Sequence, residues 1–472
     1  MASKLMQNLA GLFGSAVTLA TRGVEVHDEK PLRGAAMDQL VWKAVFAEAD
    51  EREAARWLLW EIGQARGVRP ASIHELYIAR GRGECAGFTV PAMNIRTMAY
   101  DTARAVFRAA RAGRAGAIIL EIARSEIAYT DQRPAEYVSV LIGAALREGW
   151  SLPLFIQGDH CQVNARKYAT DADGEVGEVK KLIAEEVAAG FYNIDVDTST
   201  LVDLSHETLA EQQRANYERA AEITYFIRER EPAGVTVSIG AEIGEVGHKN
   251  STVEELHAFM QGYEAECERL GIADGISKIS VQTGTSHGGV VLPDGKIADV
   301  KLDIDALRDL SRVARERYGL AGAVQHGAST LPSNAFGNFP RVETAEIHLA
   351  TNFQNIVFDH PSLPADLKRR MYAWLDENAQ SERKADDSDD QFYYKARKKA
   401  IGPFKRDLWS LPENVRAAIA VDLERTFAFL FEQLNVNGTA DLVDRFIQAP
   451  MQHHASLDQV LVRAVDDADA GE

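Results

Sequence analysis

The sequence predicts an α/β fold, a (β/α)8 TIM barrel with an N-terminal helical extension and C-terminal helical additions. Three observations predict it. Eight short β-branched runs recur between about residues 86 and 360, separated by Ala-, Glu- and Arg-rich stretches of helical character. Several runs are apolar almost without interruption, as parallel strands covered on both faces are. Polar residues fall at equivalent points near the ends of the runs, where a barrel gathers its working groups.

Residues 1–85 read as the N-terminal extension. Within it, AAMDQLVWKAVFAEADEREAARWLLWEIGQAR (35–66) spaces its apolar residues as one or two amphipathic helices, and Trp42, Trp57 and Trp60 read as packing rather than ligand contacts. The barrel reads over 86–360. Its strands are GFTVPAMN (87–94), GAIILEI (116–122), LPLFIQGD (152–159) and YNIDVDTS (192–199), then TVSIGAEIG (236–244), SKISVQTGTS (277–286), AGAVQHGAS (321–329) and TAEIHLATN (344–352). Residues 361–472 read as a loop and helices packed on the barrel. There, ENAQSERKADDSDDQFYYKARKK is expected to be an exposed loop, PENVRAAIAVDLERTFAFLFEQLN an amphipathic helix with Pro412 near its start, and VDDADAGE a solvated tail.

Bulk properties narrow the function. The 472 residues carry a formal charge of −18, which opposes nucleic acid and anionic membranes as partners. A phosphate ligand would need its positive charge supplied locally. Cys85, Cys161 and Cys267 are odd in number and far apart, which suits a reducing compartment. The mildly apolar opening is weighed as a signal peptide, but Gln7 and Asn8 interrupt it and Lys4 is its lone early base, so the cytoplasm is expected.

The chemistry collects at strand ends. Asp159-His160 closes the third run, Ser286-His287-Gly288 the sixth and Gln325-His326-Gly327 the seventh; the fifth carries Glu242, and the fourth Asp195 and Asp197. Three imidazoles converging on one mouth leave a zinc ion an open coordination position for substrate. Any one of these histidines could instead be satisfied by a backbone carbonyl; three at strand ends, two of them followed by glycine, favour the metal. Neighbouring residues on a strand face opposite ways, so Asp159 and His160 are expected where the strand has turned into its loop. Cys161 reads as a bystander.

GDHC (158–161), TGTSHGG (283–289) and HGAS (326–329) resemble the signature of class II, metal-dependent ketose-bisphosphate aldolases. PAMN (91–94), DTS (197–199), KLDIDAL (301–307) and YYKAR (393–397) extend the resemblance from about residue 70 to beyond 430. It implies that His160, His287 and His326 hold Zn2+, and that Asp159 is the acid/base at the oxygen where the carbon bond breaks. Asp197 and Glu242 match positions that accommodate a second divalent or monovalent cation, or the zinc in another place. Gly288, Gly327, Ala328, Ser329 and Thr351 match phosphate loops, while Asn94 lines the base of the site and His348 stands where an enediolate-contacting Asn is expected. Arg397 matches an arginine that binds the far phosphate in a neighbouring subunit, implying a homodimer.

The sequence also departs from that family. The usual loop glutamate that removes the donor proton is matched by Asn250, and an amide cannot take a proton at neutral pH. Glu245, His248, Glu254 and Glu255 are the candidate replacements. Ala350 stands for an aspartate, Glu346 for a lysine close to the phosphate loop, and Arg124 or Lys249 could restore the lost positive charge. The predicted function is reversible retro-aldol cleavage of a phosphorylated ketose, by default fructose 1,6-bisphosphate, to dihydroxyacetone phosphate and an aldehyde. The rivals are a metal-binding regulatory barrel without turnover and a metal-dependent barrel hydrolase.

Overall fold

All eight expected runs form strands, each nested within or overlapping its predicted span. In the computed structural model, which describes residues 2–244, 249–284 and 302–455, they are β1 (Val90–Asn94), β2 (Ile119–Ala123), β3 (Leu154–Gln162), β4 (Asn193–Asp197), β5 (Ser238–Glu242), β6 (Lys278–Val281), β7 (Ala323–Gln325) and β8 (Glu346–Leu349). Each pairs in parallel with the next, β8 returns to β1 through Glu346↔Val90, and the β3–β4 pairing completes the ring. Every residue of β1, β2, β4 and β5 is buried, as in parallel strands covered on both faces.

Helices follow the strands and stop where the sequence stops them. Helix α1 (Ala172–Ala189) starts on the Asp171 side chain, which accepts from the Gly174 amide, and ends at Gly190 with φ 111°. Helix α2 (Val253–Leu270) starts with a reciprocal Thr252/Glu255 capping box and ends at Gly271, φ 73°. The box uses up Glu255, whose carboxylate also pairs with Lys249, so this candidate base is spent on structure.

The additions differ from expectation in three places. Residues 35–66 do form two helices, Ala35–Phe46 and Ala49–Arg66, but a short hairpin, Val17–Leu19 against Val24–Val26, precedes them. Pro70–Ala71 lies alongside the start of β3. The polar stretch read as an exposed loop contains a helix, α3 (Asp389–Ala396). Ser388 and Gln391 form a capping box there, Phe392 is fully buried and Lys395 pairs with Asp387, so local chemistry overrides the charge-rich composition. The Pro412 segment is a helix over Glu413–Gln433, as expected. The chain then returns beneath the barrel. The indoles of Trp57 and Trp60 donate to the carbonyls of Ala455 and Gln452, and the His454 ring stacks on Trp60 at 4.1 Å. The VDDADAGE segment lies outside the described residues.

Candidate active site

A β-bulge answers how Asp159 and His160 share one mouth. The strand does not end before them, as the sequence reading required. It runs on to Gln162, but its register against β4 slips: Gly158 faces Ile194 and Cys161 faces Val196, so Asp159 and His160 together oppose the single residue Asp195. His160 has φ 44°, the left-handed conformation uncommon for a residue with a side chain. The extra residue resets the alternation, and both side chains line the same cavity of about 740 Å3 at the C-terminal end of the barrel.

Cys161 then points outward, fully buried, with its Sγ 3.3 Å from Glu186 Oε2 on α1. Burial pushes the Glu186 carboxyl up to about 8. The unfolded chain ionises it near the ordinary 4.5, so its contribution to stability is complete below that value and is lost as pH rises towards 8. The isosteric, uncharged Glu186→Gln variant is expected to gain on the parent by roughly 1.4 kcal/mol per unit between pH 5 and 8, read by urea unfolding. Parallel pH curves would show that Glu186 is solvated.

Among the described residues, three groups of side chains offer ligand atoms lying within 4.8 Å of one another: His160, Asp197 and Glu242; Asp159, His326 and His348; and Glu121, Asp159, Asp195 and His348. The rings of His160 and His326 stand 4.3 Å apart, and those of His326 and His348 4.0 Å apart. His160 Nδ1 is 3.1 Å from Asp197 Oδ2 and 3.8 Å from Glu242 Oε2, and His326 Nε2 is 3.0 Å from Ser280 Oγ. The expected second zinc histidine, His287, and the neighbouring Gly288 lie outside the described residues, as do Glu245 and His248.

The electrostatics of this cluster call for a cation. Glu121, Asp159, Asp195, Asp197, Glu242 and Glu346 are all buried, and among the described residues Lys278 is the one buried amine inserted between them. Burial and the Asp197 charge push Glu242 up to about 8; burial and Asp159 push Glu121 up to about 7. Burial works to lower His160 and His348, yet the surrounding carboxylates outweigh it and hold both imidazoles well above their ordinary value. A pocket that draws protons onto imidazole and carboxylate alike has a strongly negative field, and nitrogen and oxygen donors in this number suit a divalent ion.

Beneath the cluster lies an ionic floor that sequence reasoning missed. Lys278 Nζ is 2.9 Å from Asp195 Oδ1, donates to Gln157 Oε1 at 2.7 Å and pairs with Glu346, which also accepts from the Tyr77 hydroxyl. Burial would raise Glu346, but Lys278 and His348 bring it down to about 2. Glu346 therefore faces the barrel interior and is neutralised from β6, rather than weakening a phosphate loop. The overlooked signals were single charges inside apolar runs: Glu121 in GAIILEI and Lys278 in SKISV.

The remaining candidates divide between the mouth and its supports. Gly327, Ser329 and Thr351 line the cavity, Ala328 is buried behind them, and Ser329 Oγ accepts from the Ala350 amide at 2.6 Å, tying the loops after β7 and β8 together. Asn94 is buried and donates to Glu126, which in turn pairs with Arg96 at the cavity wall, so Asn94 acts one step removed. Arg124 also reaches the cavity but is held by Glu175 at 2.7 Å. Asn250 is bound to Asp303 at 2.9 Å, and Glu254 is exposed at the start of α2. Arg397 is not at the mouth of its own barrel: it is buried against Asp359 and Asn355, with its guanidinium over the Phe358 and Tyr394 rings. Its neighbour Lys398 lines the cavity instead.

Comparison with known proteins bears on this arrangement. A model of the family described as fructose-bisphosphate aldolase class-II matches residues 82–401. Among solved structures, the chain is similar to the fructuronate-tagaturonate epimerase UxaE from Cohnella laeviribosi, at 13% identity and TM-score 0.54, over 92% of this chain and 99% of that one. It is similar to a protein titled probable tagatose 6 phosphate kinase from Sinorhizobium meliloti, at 15% identity and TM-score 0.51, over 77% and 95%. It is also similar to the fructose-bisphosphate aldolase of Campylobacter jejuni, at 19% identity and TM-score 0.44, over 76% and 93%. No curated protein sequence matches the chain.

Proposed function

We propose, from the premise that this chain belongs to the class II fructose-bisphosphate aldolase family, that it catalyses the reversible retro-aldol cleavage of a phosphorylated ketose with a divalent metal ion. The observation that carries this is the β3 bulge, which sets a carboxylate and an imidazole side by side in the same cavity as His326. His160 and His326, together with Glu242, would hold the ion, with His287 the further ligand expected from sequence. When bound, the ion supplies Lewis acidity to the ketone oxygen and adjacent hydroxyl of the substrate.

The chain's own residues do the rest. Asp159 stands at the wall of the cavity, its Oδ1 3.2 Å from His348 Nδ1, and takes the proton from the hydroxyl whose carbon bond breaks, returning it in the condensation direction. His348 stacks on His326 and fixes the Asp159 carboxylate. Ser329 and Thr351 bind the phosphate of the donor half. Lys278 is excluded as an amine nucleophile: burial would lower it, but Asp195 and Glu346 outweigh burial and raise it above its ordinary value, so it stays an ammonium.

The direct test is metal-loaded protein offered a panel of ketose phosphates, with triose phosphate release coupled to a dehydrogenase. Release from at least one is expected. Asp159→Asn should keep the metal and lower kcat by about 10^2- to 10^4-fold. Silence across the panel with stoichiometric metal would overturn the cleavage of a ketose phosphate.

A second reading keeps the bond cleavage but retains both fragments, which rejoin on the opposite face and invert one carbinol. It is favoured by the extent of the epimerase likeness, which takes in the additions at both ends. Conversion of a ketouronate to its epimer without triose release would select it.

A further inference from the structure

We propose that Lys398, beside Arg96, forms a subsite for an anionic group on the far end of the ketose, so that the C-terminal addition reads substrate charge. This rests on the ketose reading of the cavity given above. Lys398 comes from the turn that follows α3, outside the barrel, yet it lines the same cavity as Asp159, His160 and His326.

Its neighbours are all engaged: Lys395 with Asp387, Arg397 with Asp359 and Lys399 with Glu382. The Lys398 ammonium makes no ion pair or hydrogen bond with any described residue; its contact is the Tyr129 ring, 5.8 Å away. Burial, then the nearby Arg96 charge, lowers its pKa from the ordinary value. Arg96 and Lys398 both line the cavity; Arg96 is paired with Glu126, whereas Lys398 has no carboxylate of its own within pairing distance among the described residues. An isolated cation is costly to hold half-buried, and an anion from the substrate would neutralise it. The position suits the far end of a ketose: the loop residues Ser329 and Thr351 follow β7 and β8, whereas Tyr129 and Glu126 follow β2. Lys398 would do within one chain what the sequence resemblance assigned to Arg397 across a subunit boundary.

The experiment is calorimetric binding to metal-loaded protein of two ligand pairs differing only at the far carbon. One pair is fructose 1,6-bisphosphate and fructose 1-phosphate; the other is a ketohexuronate and its neutral ketohexose. In the parent protein the charged member of at least one pair should bind about tenfold more tightly. That ratio should fall to within twofold in Lys398→Met and in Lys398→Gln, and persist in Lys398→Arg. A gain confined to the first pair assigns phosphate, one confined to the second assigns carboxylate, and a gain in both assigns either anion. A ratio unchanged in both neutral variants, or no preference in the parent, overturns the proposal. Turnover is read separately: charge-dependent binding without cleavage defeats the retro-aldol reading alone, and cleavage with an unchanged ratio defeats this inference alone.

Discussion

Replacing His326 with alanine is expected to strip the protein of bound divalent metal and to lower kcat by at least about 10^3-fold, a loss of several kcal/mol of transition-state stabilisation. The residue sits where β7 ends, in face-to-face contact with His348 and 4.3 Å from the His160 ring. Its removal takes one nitrogen from a donor set built of few, and leaves the buried carboxylates Asp159, Asp197 and Glu242 with less to balance them. Metal content by elemental analysis and turnover by the coupled assay should fall together. Asp159→Asn provides the contrast, since it should lose turnover while the metal stays. Metal retained at one equivalent in His326→Ala would place the ion elsewhere in the barrel and sink the assignment.

The second large effect is on stability. Lys278→Met is expected to cost about 3–5 kcal/mol, because it removes the ammonium shared by Asp195 and Glu346 and leaves His348 alone to offset both buried carboxylates. Glu346→Lys alone should be comparably damaging, placing a second ammonium beside the first. The reciprocal exchange, Lys278→Glu with Glu346→Lys, should recover a substantial part of either loss, as a double-mutant cycle in urea unfolding would read. A Lys278→Met cost below about 1 kcal/mol would mean that the floor is hydrated rather than sealed.

The barrel was legible because parallel strands buried on both faces are mostly apolar between their turns, even where Glu121, Asp195, Lys278 and Glu346 interrupt them. The ends of those strands were legible too: Asp159, His160, His326, His348, Asp197 and Glu242 do converge. What could not be read is geometry that depends on pairing. A bulge is a mismatch between two strands, so no property of β3 alone shows that Asp159 and His160 face the same way. The floor was hidden for a related reason. Glu121, Lys278 and Glu346 each look like an isolated charge in its own segment, and become a network only when the ring closes. Arg397 and Lys398 differ by a single residue, and helix phase decides which one reaches the cavity. Composition misled at α3, where a capping box and one buried phenylalanine organise a stretch rich in charge.

The tether beneath the barrel has a kinetic corollary. The Trp60 indole meets the Gln452 carbonyl across 392 positions of sequence, and Glu61 accepts from the His454 amide across 393. Fastening that clasp requires synthesis to have passed residue 454, and it closes a very large loop. The exposed strap of residues 451–455, rather than the buried strand starts it lies against, is then where amide protons should exchange first.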